Sequence, residues 1–329
     1  MKAIQRKYFN TYFSIAVMVL LIAIFTMIEP RFLNAANINS LLSDTAPLMI
    51  MAAGMTPVLL LGSIDLSIGA LCSAANVLVI TILLRFLETV EANPGMVVVA
   101  AIVAFLLTLI AAIVSGILLG LIHVKTKAPS FIASLAFMSI WASAALLIQN
   151  ASVFLPQPLW ATINWYNISF GPLGLPLLIA FIVIVVYYIL LTRTSFGRGV
   201  YAIGGNERTA RLAGLPVDRI KITVFAMNGF CTALGAIFLM AKARSAAPTA
   251  GEAFTLMVIS AVVLGGTSLV GGAGSVLNTI LGVFIVAMIQ NGMNIVGVNV
   301  FWQSIVYGAI ILIAIAINTD RSSRSFVVK

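Results

Sequence analysis

Long apolar runs alternate along the chain with short segments that carry most of its charged residues. A transmembrane helix needs about 20 mostly apolar residues. Charge-free runs that meet this need lie at 8–28, 45–64, 66–84, 96–122, 128–150, 172–192 and 222–241. Glycine-rich and asparagine-rich breaks divide a last charge-free tract into 253–271, 274–293 and 300–319. The pattern predicts an all-α polytopic membrane protein with about ten transmembrane helices.

The composition excludes a soluble globular protein. Of the 329 residues, 62% are hydrophobic and only 8% are charged, whereas an average soluble domain carries roughly 25% charged residues. So few charges cannot cover the surface of a core this large. We therefore interpret 1–329 as a single transmembrane domain with lipid as its solvent.

The basic residues predict an orientation. With the N-terminus inside, fourteen of the 18 Lys and Arg residues fall on the inner side and four on the outer side, as the positive-inside rule requires. Both termini are therefore expected to be cytoplasmic. The basic N-terminal segment also resembles a signal peptide, but its apolar run is long for one, so we interpret it as a retained first helix. The net charge of +9 then marks orientation and predicts no nucleic-acid partner.

The residues needed for most catalytic and metal chemistry are absent. His123 is the only histidine, and the two cysteines lie in separate apolar runs, which gives no zinc pattern. No lysine follows a glycine, so the phosphate-binding pattern G-x-x-x-x-G-K-[ST] cannot occur. We expect no catalytic residue, no metal and no cofactor in this chain. The sequence favours a passage for a solute rather than a reaction centre.

The longest inner segment, 193–221, contains a short helix with clear boundaries. Asn206 can cap its start, Gly214 suits the left-handed position after its end, and Pro216 prevents its continuation. Glu207 lies at the positive end of the helix dipole. A helix this short is unstable in water alone. It is therefore either an ordinary solvated loop helix or a docking helix for a cytoplasmic partner.

A single acidic residue, Asp65, separates two apolar runs with almost no polar spacer. An isolated carboxylate at bilayer depth costs about 2.5–3.5 kcal/mol even on the insertion scale, so Asp65 must reach the interface or have partners. One interpretation is that Asp65 or Ser67 caps the following helix at a tight inner turn. The alternative is a broken helix that lines the pathway, where the acid contacts an arginine of the inner loop or gates the exit.

Three separated motifs carry a resemblance to a known family. They are IDLSIG at 64–69, YAIGGNERTARLAGLPVDRIKITVF at 201–225 and VISAVVLGGTSLVGGAGSVLNTILGVFIV at 258–286. Together they resemble the membrane permeases of ribose-type bacterial ABC sugar importers, within the monosaccharide and branched-chain amino acid permease superfamily. The similarity extends from about residue 35 to 317, which is most of the chain.

The resemblance implies a ten-helix permease subunit of the bacterial inner membrane that translocates a pentose or hexose sugar. It also implies a cytoplasmic ABC ATPase that binds the ATP, a periplasmic solute-binding protein and a second permease chain, identical or paralogous. The helix at 206–214 would be the coupling helix that fits a groove on the ATPase. The residues that inherit contact roles are Asn206, Glu207, Ala210, Arg211, Leu212 and Gly214. Ser63 and Thr209 depart from the family pattern, and Thr209 would alter which ATPase is accepted.

Neutral amides at the depth of the spans are candidates for the sugar pathway, because amides match sugar hydroxyls. The pathway and gate candidates are Asp65, Ser67, Asn76, Asn228, Asn291 and Asn294. Interhelical hydrogen bonds commonly use the same residue types, so a structural role stays open for each. Gly116 and Gly120, spaced as GxxxG, predict close helix packing.

Two other classes of transporter are alternatives. An ion-driven secondary carrier is expected to show broken helices and intramembrane charges, and a passive channel needs no cytoplasmic partner. Only one acid, Asp65, is far from other charges, which counts against a carrier. The capped helix at 206–214 counts against both alternatives, and the sequence favours the ATP-driven importer.

Overall fold

The computed structural model describes residues 2–170 and 173–318. Within them the α-helices are α1 (Lys2–Ile28), α2 (Ala35–Leu60), α3 (Ile68–Arg85), α4 (Leu87–Ala92), α5 (Val97–Thr126), α6 (Ser130–Ile148), α7 (Leu175–Arg193), α8 (Ser195–Gly205), α9 (Glu207–Leu212), α10 (Val217–Ala243), α11 (Phe254–Leu264), α12 (Val276–Val296) and α13 (Val300–Asn318). Short 3-10 helices lie at Pro30–Leu33, Pro94–Met96, Gln157–Thr162 and Asn164–Asn167. The two-residue strands are β1 (Val153–Phe154), β2 (Ser169–Phe170), β3 (Leu173–Gly174) and β4 (Ser245–Ala246).

Seven of the described helices are long and apolar enough to cross a membrane: α2, α3, α5, α6, α7, α10 and α12. Shorter apolar helical stretches occupy Ser14–Ile28, Phe254–Leu264 and Phe301–Leu312. The chain is thus an all-α polytopic membrane protein. The count of ten spans stays a prediction.

Two predicted ranges differ from the observed helices. α2 begins at Ala35 rather than at 45, because Asn34 caps it by accepting a hydrogen bond from the Ala36 amide at 3.2 Å. The predicted span 253–271 is wrong as a single helix. α11 ends at Leu264, and eleven residues reach only about 16 Å, roughly half the hydrocarbon thickness. The chain turns there at Gly266, whose φ of 83° continues no helix.

The core is built around α2. Every residue from Thr45 to Leu60 is buried, and α2 packs against α7, α10, α11 and α12. In contrast, α5 and α6 lie at the periphery and expose large apolar side chains such as Ile110 and Ile140. Exposed apolar surface on this scale is unfavourable in water and fits a surface in contact with lipid.

The predicted close packing at the GxxxG pair is confirmed. A Cβ atom on Gly116 would lie 2.2 Å from the carbonyl oxygen of Phe225, and one on Gly120 would lie 2.9 Å from the Ile222 Cα. α5 and α10 therefore approach backbone to backbone at these positions. A larger residue at Gly116 would push the two helices apart.

Segments that the charge count assigns to one side of the membrane contact each other. At the predicted inner end, the Gly272 amide donates to the Leu60 carbonyl at 2.9 Å, and the Tyr201 hydroxyl donates to the Gly274 carbonyl at 3.0 Å. At the predicted outer end, β1 pairs with β4 and β2 with β3, both antiparallel. The inner end thus gathers the α2–α3 connection, α8, α9 and the 265–274 segment.

Candidate functional site

The short helix α9 has the boundaries that its sequence predicts. The Asn206 side chain accepts a hydrogen bond from the Thr209 amide at 3.0 Å and so caps the start. Past the end, Gly214 has a φ of +80°, and the Leu215 amide donates to the Ala210 carbonyl at 3.1 Å. Because glycine alone adopts this left-handed conformation readily, Gly214 sets where α9 ends.

Charged side chains attach α9 to α10. Glu207 Oε2 lies 2.7 Å from the ammonium Nζ of Lys221, whose side chain is only 10% exposed. Arg211 bridges Glu207 at 3.3 Å and Asp218 at 2.6 Å. This network supplies the support that a six-residue helix needs, since so short a helix is not stable in isolation.

The pKa of Glu207 reports the same network. Its partial burial acts to raise the pKa, but the hydrogen bonds and positive charges of Lys221 and Arg211 outweigh burial and hold the pKa below its ordinary value of 4.5. The carboxylate therefore stays ionised at neutral pH, and the ion pair that anchors α9 persists.

The six residues to which the family resemblance gives contact roles fall into two groups. Ala210 is 3% exposed and packs into the bundle, and Glu207 is directed to Lys221, so these two hold α9 rather than face a partner. Asn206, Arg211, Leu212 and Gly214 are exposed. Leu212 is the outlier, because this large apolar side chain is 82% exposed on a helix surrounded by charges.

Val270 is a second exposed apolar residue at the same end, and the sequence analysis does not identify it. It is 86% exposed and lies in the 265–274 segment, which is joined to the C-terminus of α2 through the bond from Gly272 to Leu60. One valine among glycines gives no periodic signal. Only the tertiary structure brings it to the end of the bundle that presents Leu212.

Asp65 is buried, and its described partners are neutral. One carboxylate oxygen accepts from the Ser67 amide at 2.9 Å and from the Ser67 hydroxyl at 2.6 Å, and the other accepts from the Asn228 amide at 2.8 Å. The side chain of Ser67 therefore donates to Asp65 and does not cap α3, although Ser67 is the N-cap residue. Within the described chain no arginine bonds to Asp65, so the alternative in which Asp65 contacts an arginine of the inner loop is wrong.

The turn that holds Asp65 is fixed from α6 as well. The hydroxyl oxygens of Ser130 and Ser134 accept from the amides of Ile64 and Leu66, each at 3.0 Å. The amides of Ile64, Leu66 and Ser67 in this turn thus donate to side chains, and the Asp65 carboxylate accepts three hydrogen bonds. Such an arrangement makes a buried carboxylate tolerable.

One helix, α10, carries the partners of both polar groups. Lys221 binds Glu207 of α9, and Asn228, seven residues later, binds Asp65. Residues seven apart lie on the same face of a helix, two turns apart. The predicted inner segment ends at 221 and the predicted span begins at 222, so Lys221 and Asn228 fall in different predicted elements. That spacing is the signal that could have identified Lys221.

The other pathway candidates lie elsewhere and bind within the protein. Asn76 donates to the Ala236 carbonyl at 3.2 Å and accepts from the Ala247 amide at 3.1 Å. Asn291 and Asn37 exchange hydrogen bonds at 2.8 and 3.0 Å. Gln303 donates to Asn294 at 2.6 Å. Only Asp65, Ser67 and Asn228 form one site, and these other amides have the contacts of structural interhelical bonds.

Comparison with known proteins decides the family. The profile of the branched-chain amino acid transport system permease component matches residues 37–315. The chain belongs to this family. The permease is 36% identical to the ribose import permease protein RbsC of Bacillus subtilis, over 92% of this chain and 91% of that protein.

Further relatives agree in length as well as in sequence. The permease is 33% identical to the probable ABC transporter permease protein YphD of Escherichia coli K12, over 99% of this chain and 95% of that protein. It is 31% identical to the xylose transport system permease protein XylH of the same strain, over 90% of this chain and 88% of that protein. No solved structure matches the chain.

Family and fold together define the class of protein. This permease is the membrane subunit of an ATP-binding-cassette importer and a multi-pass protein of the bacterial inner membrane. It is a transport subunit, and ATP hydrolysis belongs to a separate chain.

Proposed function

We propose that this permease translocates a monosaccharide of pentose or hexose type through about ten transmembrane helices, with both termini cytoplasmic. Its relatives named for ribose and xylose import and the positive-inside distribution of Lys and Arg support this proposal. A periplasmic solute-binding protein delivers the sugar, and a second permease chain, identical or paralogous, completes the pathway.

The observation that carries the proposal is the geometry of α9. The helix is capped at Asn206, ended at Gly214 and anchored through the Glu207–Lys221 ion pair, yet it presents Leu212 almost fully exposed. A solvated loop helix would need the same anchoring, so the exposed apolar side chain of Leu212 is the feature that favours docking. A helix that transmits force to the bundle needs a rigid attachment behind it and an apolar contact in front.

The ATPase therefore docks on the surface formed by α9 and its exposed basic residues. Arg208, Arg211 and Leu212 are exposed on α9, and we expect an apolar pocket with an acidic rim on the ATPase. Differential affinity of the ATPase for nucleotide in the inward and outward states supplies the coupling free energy. Movement of α9 would pass to α10 through Lys221 and reach the Asp65 turn through Asn228, which makes Asn228 a positioning residue.

An ion-driven carrier has one structural feature in its favour. α11 is short and ends in the non-helical 265–274 segment, and transporters of that class use broken helices and buried charges such as Asp65. The two functions differ in their need for ATP, which the test below measures directly.

The test is mild-detergent purification of the permease from its native membrane, with identification of copurifying chains and ATP-dependent sugar uptake in proteoliposomes. We expect a P-loop ATPase to copurify with the unchanged chain and with Leu212→Met, which keeps the apolar contact. Leu212→Asp should lose it at least tenfold, because a desolvated charge opposes docking. Gly214→Val should lose it as well, since a β-branched residue at φ +80° is strained.

Two outcomes would contradict the proposal. If the permease purifies alone and its proteoliposomes move sugar without ATP, the proposed docking of an ATPase on α9 is wrong. If Leu212→Asp and Gly214→Val both retain the ATPase and normal uptake, α9 is not the coupling helix.

A further inference from the structure

A polar cavity of about 280 Å³ opens at the end of the bundle opposite to α9. It lies between the N-terminal turns of α2 and α7 and the segment 166–169. Its polar lining consists of Asn39, Ser43, Tyr166, Asn167 and Ser169, and the rest of the lining is apolar or glycine. None of the described residues that line the cavity carries a charge. The volume is just below the range of pockets for drug-sized molecules, so the cavity suits a smaller one.

Two side-chain amides that line the cavity have no hydrogen-bond partner in the described part of the chain. Among the described residues, the side chains of Asn39 and Asn167 make no hydrogen bond within the chain, although each can donate two and accept two. Asn37, one half-turn earlier on α2, differs sharply, because it donates to the Phe32 carbonyl and exchanges bonds with Asn291. Of these two neighbouring asparagines on α2, Asn37 bonds within the protein, whereas the Asn39 amide is available to a ligand.

Tyr166 is held in a fixed position at the cavity wall. Its ring packs edge-on against Trp165 at 5.6 Å and Phe238 of α10 at 6.0 Å. Its hydroxyl donates to the Ser43 carbonyl at 3.2 Å and accepts from the Ser43 hydroxyl at 3.4 Å. Burial raises the pKa of Tyr166 to about 12, so the phenol stays neutral. A wall positioned in this way costs little ordering free energy when a solute binds.

Charged groups at this end of the bundle have partners within the chain. Asp44, next to Ser43, forms an ion pair with Lys242 of α10, and Arg244 stacks over the ring of Trp160. The cavity itself thus offers amide, hydroxyl and aromatic groups without a net charge. That chemistry matches hydroxyl groups, which both donate and accept, and it gives no compensation to an ionic solute.

We propose that this cavity is an outer binding site for a neutral polyhydroxylated solute of monosaccharide size. The inference rests on the proposed function for its orientation and substrate class. Asn39 and Asn167 bind the hydroxyl groups, and the buried Tyr166 holds the cavity wall in place. The permease would then select its solute at the outer face of its own chain, in addition to any selection by the binding protein.

The experiment measures solute binding to the complete purified permease in nanodiscs, without ATPase or binding protein. D-Ribose and D-xylose are the probes, detected by saturation-transfer NMR, and 2-deoxy-D-ribose tests the need for hydroxyl groups. We expect at least one of the two sugars to bind, and the Asn39→Ala/Asn167→Ala double variant to weaken that binding at least tenfold. Asn150→Ala removes an exposed amide outside the cavity lining and should bind as the unchanged chain does.

Three results would overturn the proposal. Neither sugar binds the unchanged permease, or the double variant binds as well as the unchanged chain, or the double variant loses uptake while its sugar binding is unaffected. The last result would mark this face as a docking surface for the binding protein. The double variant should still copurify with the ATPase. If the unchanged permease shows ATP-dependent sugar uptake without binding at the cavity, only the cavity proposal fails and the proposed function stands.

Discussion

The two ends of α10 meet polar groups of different kinds. Near its N-terminal end, Lys221 forms an ion pair with Glu207 inside a charged network. Near its other end, Phe238 packs against Tyr166 at the wall of an uncharged cavity. Their separation of seventeen positions corresponds to about 26 Å of helix. The charged network pairs its charges and so holds a helix in place, whereas the uncharged cavity keeps neutral hydrogen-bonding groups free.

The two ends of α10 are suited to different functions. A paired charge in a half-buried site fixes geometry, because separating it from its partner leaves an uncompensated charge. A free amide fixes nothing, but it is available to a solute that arrives and leaves. The end of α10 that carries Lys221 is thus suited to transmit force to and from another protein, and the end that carries Phe238 to transient binding of a small neutral molecule.

The largest effect is expected from reversing one charge of the inner pair. Glu207→Lys places two ammonium groups together where Lys221 is almost buried, and we expect the anchoring of α9 to lose about 1–3 kcal/mol. ATPase copurification and uptake should then fall at least tenfold. The exchange variant Glu207→Lys/Lys221→Glu restores the pair and should recover much of the activity. Equal loss in both variants would show that the residues act separately.

The second effect concerns the buried contact of Asp65 with Asn228. Asp65→Asn keeps the shape but removes the charge that three donors stabilise, and we expect uptake to fall several-fold while the ATPase still copurifies. The exchange variant Asp65→Asn/Asn228→Asp moves the carboxylate to α10. Uptake that recovers in the exchange variant assigns the role to the hydrogen bond. Normal uptake by Asp65→Asn alone would reduce Asp65 to a structural part of the turn.

The third prediction concerns how ATPase binding at α9 and sugar binding at the cavity depend on pH. Because the pKa of Glu207 is held below 4.5, its contribution to the anchoring of α9 is present above that value and is lost as pH falls through the lowered pKa. Copurification of the ATPase should therefore be constant from about pH 8 to about pH 5 and decline below about pH 4.

Two comparisons make this pH measurement specific. His123 of α5 also faces Lys221, with 3.5 Å between Nε2 and Nζ, so His123→Gln is the control for a histidine contribution near neutral pH. Sugar binding at the uncharged outer cavity should show no change over the same range from about pH 8 to about pH 5. A change in ATPase retention near neutral pH that persists in His123→Gln would contradict the assignment to Glu207.

The smallest effect distinguishes bonded amides from free ones. Asn291→Ala breaks the exchange of hydrogen bonds with Asn37, and interhelical bonds of this kind contribute about 0.6 kcal/mol on average. We expect thermal stability to fall by a few degrees and uptake to stay within twofold of the unchanged chain. Asn39→Ala should have the opposite profile, with stability retained and sugar binding weakened by less than in the double variant. A large loss of uptake in Asn291→Ala would return Asn291 to the pathway.

Sequence reasoning was most successful where the cause is local. The apolar runs predict an all-α membrane protein because each helix must satisfy its own backbone in lipid. The ends of α9 follow from Asn206 and Gly214, whose conformational preferences act within a few residues. The GxxxG spacing of Gly116 and Gly120 predicts a close helix contact, although it cannot say that α10 is the partner.

The failures have a common physical reason. The range 253–271 has the composition of a span, but hydropathy does not register that the chain turns at Gly266 and closes against the end of α2. An inner-loop arginine is a reasonable partner for Asp65 on charge alone, yet the structure supplies Ser67 and Asn228. Neutral donors can stabilise a buried carboxylate without the desolvation of a second ion, and the sequence pattern does not reveal which donors are near.

By itself, the sequence determined the lipid solvent, the helical class, the family motifs and the limits of the short helix, since each depends on composition or on neighbours within a few residues. Only the tertiary structure decided that Glu207 is anchored to Lys221, that Asp65 binds Asn228, and that Asn39 and Asn167 face one cavity with Tyr166. Glu207 and Lys221 are 14 positions apart along the chain, and Asp65 and Asn228 are 163 apart. Their proximity arises from the packing of helices, whose many weak contacts are not encoded by any one residue.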